Sequence, residues 1–154
     1  MTKDARFEDG REAAVAIRAM DEEDLKILSA LMQDAVLHHT DMTWDRRRRE
    51  FALLLNRYRW EDPGRTPPER VRSVVLIEDV LNVASQGLDQ TDHDVVLSIL
   101  ALDWAAGDDG TGRVTVFFAG DGAIAVDVEA LAITLKDVTK PYLAPSGQTP
   151  THRD

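Results

Sequence analysis

The chain has 154 residues, 44% of them apolar and 30% charged, with 28 acidic against 18 basic side chains and no cysteine. One domain of this size buries a core without staples, and the missing thiols exclude disulfides, thiolate zinc sites, iron–sulfur clusters and cysteine nucleophiles. The formal charge of −10 argues against nucleic acid or an anionic membrane as partner, both being polyanions.

Residues 1–12 mix both charges without periodicity and read as a flexible leader. Nothing there resembles the apolar core of a secretory signal, and no window approaches the roughly 20 apolar residues that span a bilayer. A cytoplasmic location is expected. Ala13, Val15, Ile17 and Ala19 alternate with Ala14, Ala16 and Arg18, which suits a short strand buried on one face. Asp21 is a helix N-cap candidate, with Glu22, Glu23 and Asp24 in the first turn, where the helix dipole favours negative charge. Leu25, Leu28, Met32 and Ala35, joined by Ile27 and Leu31, then recur at three- and four-residue spacing. They predict an amphipathic helix over about residues 22–36.

After the helix the period changes to alternation. Met42 and Trp44 predict a strand, the run Arg46 to Arg49 a hairpin connection, and Phe51, Leu53 and Leu55 a return strand. The return strand is apolar on both faces at its start, so it is central or covered by the helix. Asp62 to Pro68, with Pro-Gly and Pro-Pro pairs, is a loop. Val71 to Val83, Val95 to Trp104, Val114 to Ala119 and Ala123 to about Leu135 read as further strands, although Val95 to Leu102 is a continuous apolar run in which helix competes with the favoured strand. Turn chemistry separates them at Gly87 to Asp94, Ala105 to Gly112 and the tight Gly120-Asp121-Gly122. For residues 129–138 helix and strand both fit, because Leu131, Leu135 and Val138 also make a helical face. From Pro145 to residue 154 the chain reads as a loose tail. Short connections without intervening helices predict a single α+β domain over residues 13–144. Its body is mainly an antiparallel sheet or half-barrel of six to seven strands, with one N-terminal amphipathic helix and a C-terminal helix as the alternative for 129–138.

The acid surplus is uneven. Between Arg46 and Arg72 there are nine arginines against four acids, a local +5 that leaves −15 on the rest of the chain. Such a block is either a patch for an anion or acidic partner, or it pairs with the protein's own carboxylates. Arg57, Arg59 and Trp60, with Asn56 beside them, are the candidate ligand- or partner-binding residues. Trp44, Phe51, Tyr58 and Trp60 interleave with arginine as on surfaces that stack single-stranded nucleic acid. No RNP-like motif accompanies them, the global charge opposes it, and Trp44 and Phe51 suit core positions on the two arms of a hairpin.

Asp89-Gln90-Thr91-Asp92-His93-Asp94 is the densest chemical cluster. Asp89, Asp92, His93 and Asp94 could ligate a divalent cation or serve as acid and base. The spacing matches neither an EF-hand nor an HExxH helix, and an Asx-type turn or a cap before Val95 explains the same residues. His38 and His39 are adjacent and point to opposite faces if extended; His38 near the helix C-terminus would interact with the dipole. There is no Gly-x-Ser-x-Gly elbow, dinucleotide fingerprint or P-loop, so no cofactor is expected. An enzyme built on Asp89 to Asp94 is the alternative to a non-catalytic module.

The segments Asp24 to Val36, Arg49-Glu50-Phe51-Ala52-Leu53-Leu54-Leu55-Asn56-Arg57-Tyr58-Arg59-Trp60-Glu61, Gly87 to Asp92 and Val114 to Ile124 resemble the DUF2948 family of small alphaproteobacterial proteins. The resemblance runs from about Ala13 to Leu143 and includes Asn56, Arg57, Trp60, Asp89 and Asp92. It implies a bacterial cytosolic protein and carries no catalytic residues with it. The function expected is a non-catalytic interaction module that binds a partner protein or an anionic ligand through its arginine-rich hairpin, with a homodimer as a further expectation.

Overall fold

Asp21 is extended and its side chain accepts the Asp24 N–H at 2.8 Å, which starts α1 (Glu22–Met32) directly after β1 (Ala16–Ala19). A cap of this kind is worth about 1 kcal/mol over alanine. These details come from a computed structural model that describes residues 15–59, 69–88, 95–139 and, as backbone, 142–143. The leader 1–12, Trp60, the loop 62–68, the segment Asp89 to Asp94 and the tail 145–154 lie outside the described residues.

The helix ends before residue 36 because Asp34 takes a φ of 65° and its N–H already donates to the Ile99 carbonyl at 2.9 Å. Leu25, Leu28, Leu31 and Met32 are its buried face, whereas Ile27, expected there, is 53% exposed. The chain then forms β2 (Val36–His38), a 3-10 turn over His39–Asp41, β3 (Met42–Asp45) and β4 (Glu50–Tyr58). The expected hairpin is present with the arginine run as its turn, and its register sets Trp44 opposite Phe51 and Asp45 opposite Glu50.

β5 (Glu69–Ile77), β6 (Val80–Gln86), β7 (Val96–Ala106), β8 (Gly112–Phe118), β9 (Ala123–Val128), β10 (Ile133–Asp137) and β11 (Tyr142–Leu143) follow. The described residues form one 11-stranded sheet in the order β1-β10-β5-β4-β2-β7-β8-β9-β6, with β3 also on β4 and β11 also on β5. Every pairing is antiparallel.

The expected count of six to seven strands is therefore too low, the sheet is not closed, and residues 133–137 are strand, so the C-terminal helix alternative falls. Bending and two short strands, β2 and β11, account for the miscount. The run Val71 to Val83 breaks at Glu78-Asp79, where Asp79 has a φ of 56°, and the run from Ala123 breaks over residues 129–132. The two bent segments pair with each other on both sides of the break, Ile77 with Ile133 and Val80 with Val128. Across the break Glu78 N–H donates to the Ala132 carbonyl at 3.0 Å and Glu129 N–H to Asp79 at 2.9 Å.

Inward positions of the strands and the apolar face of α1 meet in one core that includes Leu25, Leu28, Met32, Leu53, Leu55, Ile77, Ile99, Val116, Phe118 and Ile133. The helix is tied to the sheet by a polar bond as well, Leu102 N–H donating to Ser29 Oγ at 2.9 Å. No helix among the described residues is long and apolar enough to cross a membrane. Gly112 is placed by close approach: a Cβ there would overlap the Trp104 indole and lie 2.7 Å from the Ala105 carbonyl oxygen. Gly112→Ala is expected to destabilise the fold by about 1–3 kcal/mol through overpacking, measured as a lower urea midpoint at unchanged slope.

Candidate functional site

Phe51, Leu53, Leu55 and Arg57 share one parity on β4, so all four point inward, and Arg57 has no exposed surface. Its Nε donates to Ser73 Oγ on β5 at 3.0 Å, its Nη1 to the Tyr58 carbonyl at 3.2 Å, and its Nη2 to Asp137 Oδ1 and Oδ2 on β10 at 3.0 and 3.2 Å. The Ser73 hydroxyl donates to Asp137 Oδ1 at 2.7 Å, and Val15 N–H donates to Asp137 Oδ2 at 2.9 Å. Arg59 is buried too, its Nη1 donating to Glu69 Oε1 at 2.9 Å and its N–H to the Glu69 carbonyl at 3.1 Å. Two of the candidate partner-binding residues are thus buried, ion-paired side chains. Trp60 is outside the described residues.

Other arginines also bind the chain's own carboxylates: Arg18 with Glu78, Arg49 with Glu129, and Arg113 with Asp127. The hydrogen bond to Asp127, and then its charge, hold the Arg113 guanidinium above the ordinary arginine range. Arg70 lies over the Tyr58 ring at 4.1 Å from its centroid. The turn differs. Arg46, Arg47 and Arg48 are all exposed, and the first two make no ion pair with a described residue. Arg48 approaches Asp45 only at 4.0 Å with 77% of its side chain exposed. Beside the turn a groove of about 320 Å³ is lined by Trp44, Arg46, Arg49, Val80, Leu81 and Asn82, and Leu81 is 53% exposed on its rim.

Asn56 belongs to a second place. From Val36 opposite Asn56 to Met42 opposite Leu53, the β2–β3 side advances six residues while β4 advances three. The three surplus residues are the 3-10 turn His39–Asp41, and a cleft of about 140 Å³ lies beside it. Val36, His38, Asp41, Leu54, Asn56 and Arg72 are among its walls. Asp41 Oδ2 accepts the His38 N–H at 2.9 Å and clamps the turn. His38 is thus on β2, not at a helix C-terminus. Asn56 Oδ1 is buried without a hydrogen-bond partner among the described residues. Leaving an amide oxygen so costs about 1–3 kcal/mol. The exposed Arg72 guanidinium has no ion pair there either. Sequence reasoning missed Asp41 and Arg72, because a three-residue offset between two ladders leaves no local signal.

Among the described residues no three His, Asp or Glu side chains converge as a metal site would require. Asp89, Asp92, His93 and Asp94 lie outside the described residues.

Fold and sites together define a small single-domain α+β protein with an open antiparallel sheet, an ion-paired interior end and an exposed arginine turn. The chain belongs to the DUF2948 family, described as a protein of unknown function, whose model matches residues 15–152. No curated protein and no solved structure matches it.

Asp137→Ala removes the carboxylate that accepts from the buried Arg57 guanidinium, from Val15 and from Ser73. A loss of about 3–5 kcal/mol is expected in urea unfolding, whereas the double change Arg57→Met with Asp137→Leu, which removes both charges of this pair, recovers part of it. Loss of less than about 1 kcal/mol in Asp137→Ala, the size of a surface pair, would contradict a buried role.

Proposed function

We propose that this protein is a cytosolic, non-catalytic interaction module whose arginine turn between β3 and β4 receives an acidic segment of a partner protein. The observation that carries the proposal is the exposure of Arg46, Arg47 and Arg48 on one turn, while Arg57 and Arg59 of the same basic block are consumed inside. Concentrated positive charge in an otherwise acidic chain steers an acidic segment to one place and repels it elsewhere. The adjoining groove, with Trp44 at one wall and Leu81 at the rim, offers apolar surface beside that charge. Arginine's flat donor fork suits carboxylates, and its weak hydration favours contact at an interface. A second copy of the chain, which carries −15 outside the basic block, is one source of such an acidic surface. An enzyme built on Asp89, Asp92, His93 and Asp94 is the alternative reading, resting on the sequence alone because these residues lie outside the described ones.

Fluorescence anisotropy with a labelled oligoglutamate peptide tests the proposal. Binding at low salt that weakens as salt rises is expected. The triple variant Arg46→Glu, Arg47→Glu, Arg48→Glu should lose roughly tenfold or more in affinity with its melting temperature little changed, since exposed positions shift stability by no more than about 0.5 kcal/mol each. Equal binding by wild type and variant, or binding of polyuridylate in place of the peptide, would contradict it.

A further inference from the structure

We infer that the cleft between β2 and β4 is a binding site for a small free α-amino acid in its zwitterionic form. This site is separate from the arginine turn. Arg72 and Asn56 are direct cross-strand partners on β5 and β4, so their side chains leave the sheet together on the cleft's side. The Arg72 guanidinium presents the planar donor fork that binds a carboxylate. Acceptors line the same cleft: Asn56 Oδ1, buried and without a partner among the described residues, and the Asp41 carboxylate, of which Oδ2 is engaged by the His38 N–H. Acceptors near an unpaired carboxylate call for a cationic donor, and an ammonium brings three N–H groups. A molecule carrying carboxylate and ammonium on one carbon answers both halves.

Other small ligands answer only one half. A phosphate or sulfate would meet Arg72 but be repelled by Asp41, and a divalent cation would meet Asp41 and be repelled by Arg72. Size narrows the class further. The cleft's 140 Å³ is close to that of a dry engineered cavity of about 150 Å³ that takes one benzene, which sets a capacity of about six heavy atoms. Val36, Leu54 and Val96 supply apolar wall for a short side chain. The frame is firm, because Val36 is paired with Asn56 on one side and with Ser98 on the other.

A ¹H–¹⁵N NMR titration of the full chain tests this, with L-alanine as probe and L-lactate as the control that replaces ammonium by hydroxyl. L-Alanine is expected to give saturable shifts at Leu37, His38, Leu55 and Asn56, with L-lactate weaker by roughly tenfold or more. Asn56→Leu, which keeps the volume and removes the acceptor, and Arg72→Gln, at an exposed position, should each weaken L-alanine by roughly tenfold. Arg72→Gln keeps the test intact if Asn56→Leu does not fold. No saturable shift with L-alanine, equal binding of L-lactate, or undiminished affinity in the folded variants would overturn the inference.

Discussion

The Arg57 guanidinium, wholly enclosed and bonded to Ser73, Asp137 and the Tyr58 carbonyl, fixes where four neighbouring strands meet. Through Asp137 it reaches Val15 at the start of β1, so β4, β5, β10 and β1 are held in line by one carboxylate and one guanidinium. A charge at this depth is expensive unless every donor finds an acceptor. That demand makes the register strict. A one-residue slip of β4 would turn Arg57 to solvent and leave Asp137 unpaired inside. The same parity sends Asn56, its neighbour, to the opposite face, across from Val36 and Arg72. The cleft exists in its present form because the interior bond sets the register.

The nine-arginine block thus divides by what each strand position allows. Inward positions near the end of the β4–β5 hairpin hold Arg57 and Arg59 in buried pairs with acids from β10 and β5. The turn, where the chain reverses and no core is in reach, leaves Arg46, Arg47 and Arg48 in solvent. Arg72, outward on β5, faces the cleft. Arginines close together in sequence therefore serve three different environments, and the count of charge along the chain does not map onto one patch in space.

Much of this was legible from residue pattern. The Asp21 cap, the hairpin with Trp44 and Phe51 on its two arms and the tight turn at residues 120–122 follow from local chemistry and alternation, and the structure has them; for the apolar run from Val95 helix and strand both fit, and the structure has the strand Val96–Ala106. The parity that buries Arg57 was also present, since it continues Phe51, Leu53 and Leu55; Asp137 likewise continues Ile133 and Leu135. Reading arginine as surface by default concealed it. The bends at Asp79 and over 129–132 fall inside runs whose β-branched and apolar residues read as single strands, and β2 and β11 are too short to show a period. The cleft depends on a mismatch between two ladders formed by distant residues, which no local window contains.

Register control by the interior ion pair is measured most directly by native-state hydrogen exchange, residue by residue. The Asp137 N–H, which donates to the Val15 carbonyl, and the Arg59 N–H, which donates to Glu69, are the informative amides. If the buried pairs hold these strands in one cooperative unit, both amides exchange as slowly as those of Leu53 and Val75 in the centre of the sheet, through global unfolding alone. Exchange of Asp137 and Arg59 by fast local opening, with Leu53 and Val75 still protected, would contradict it.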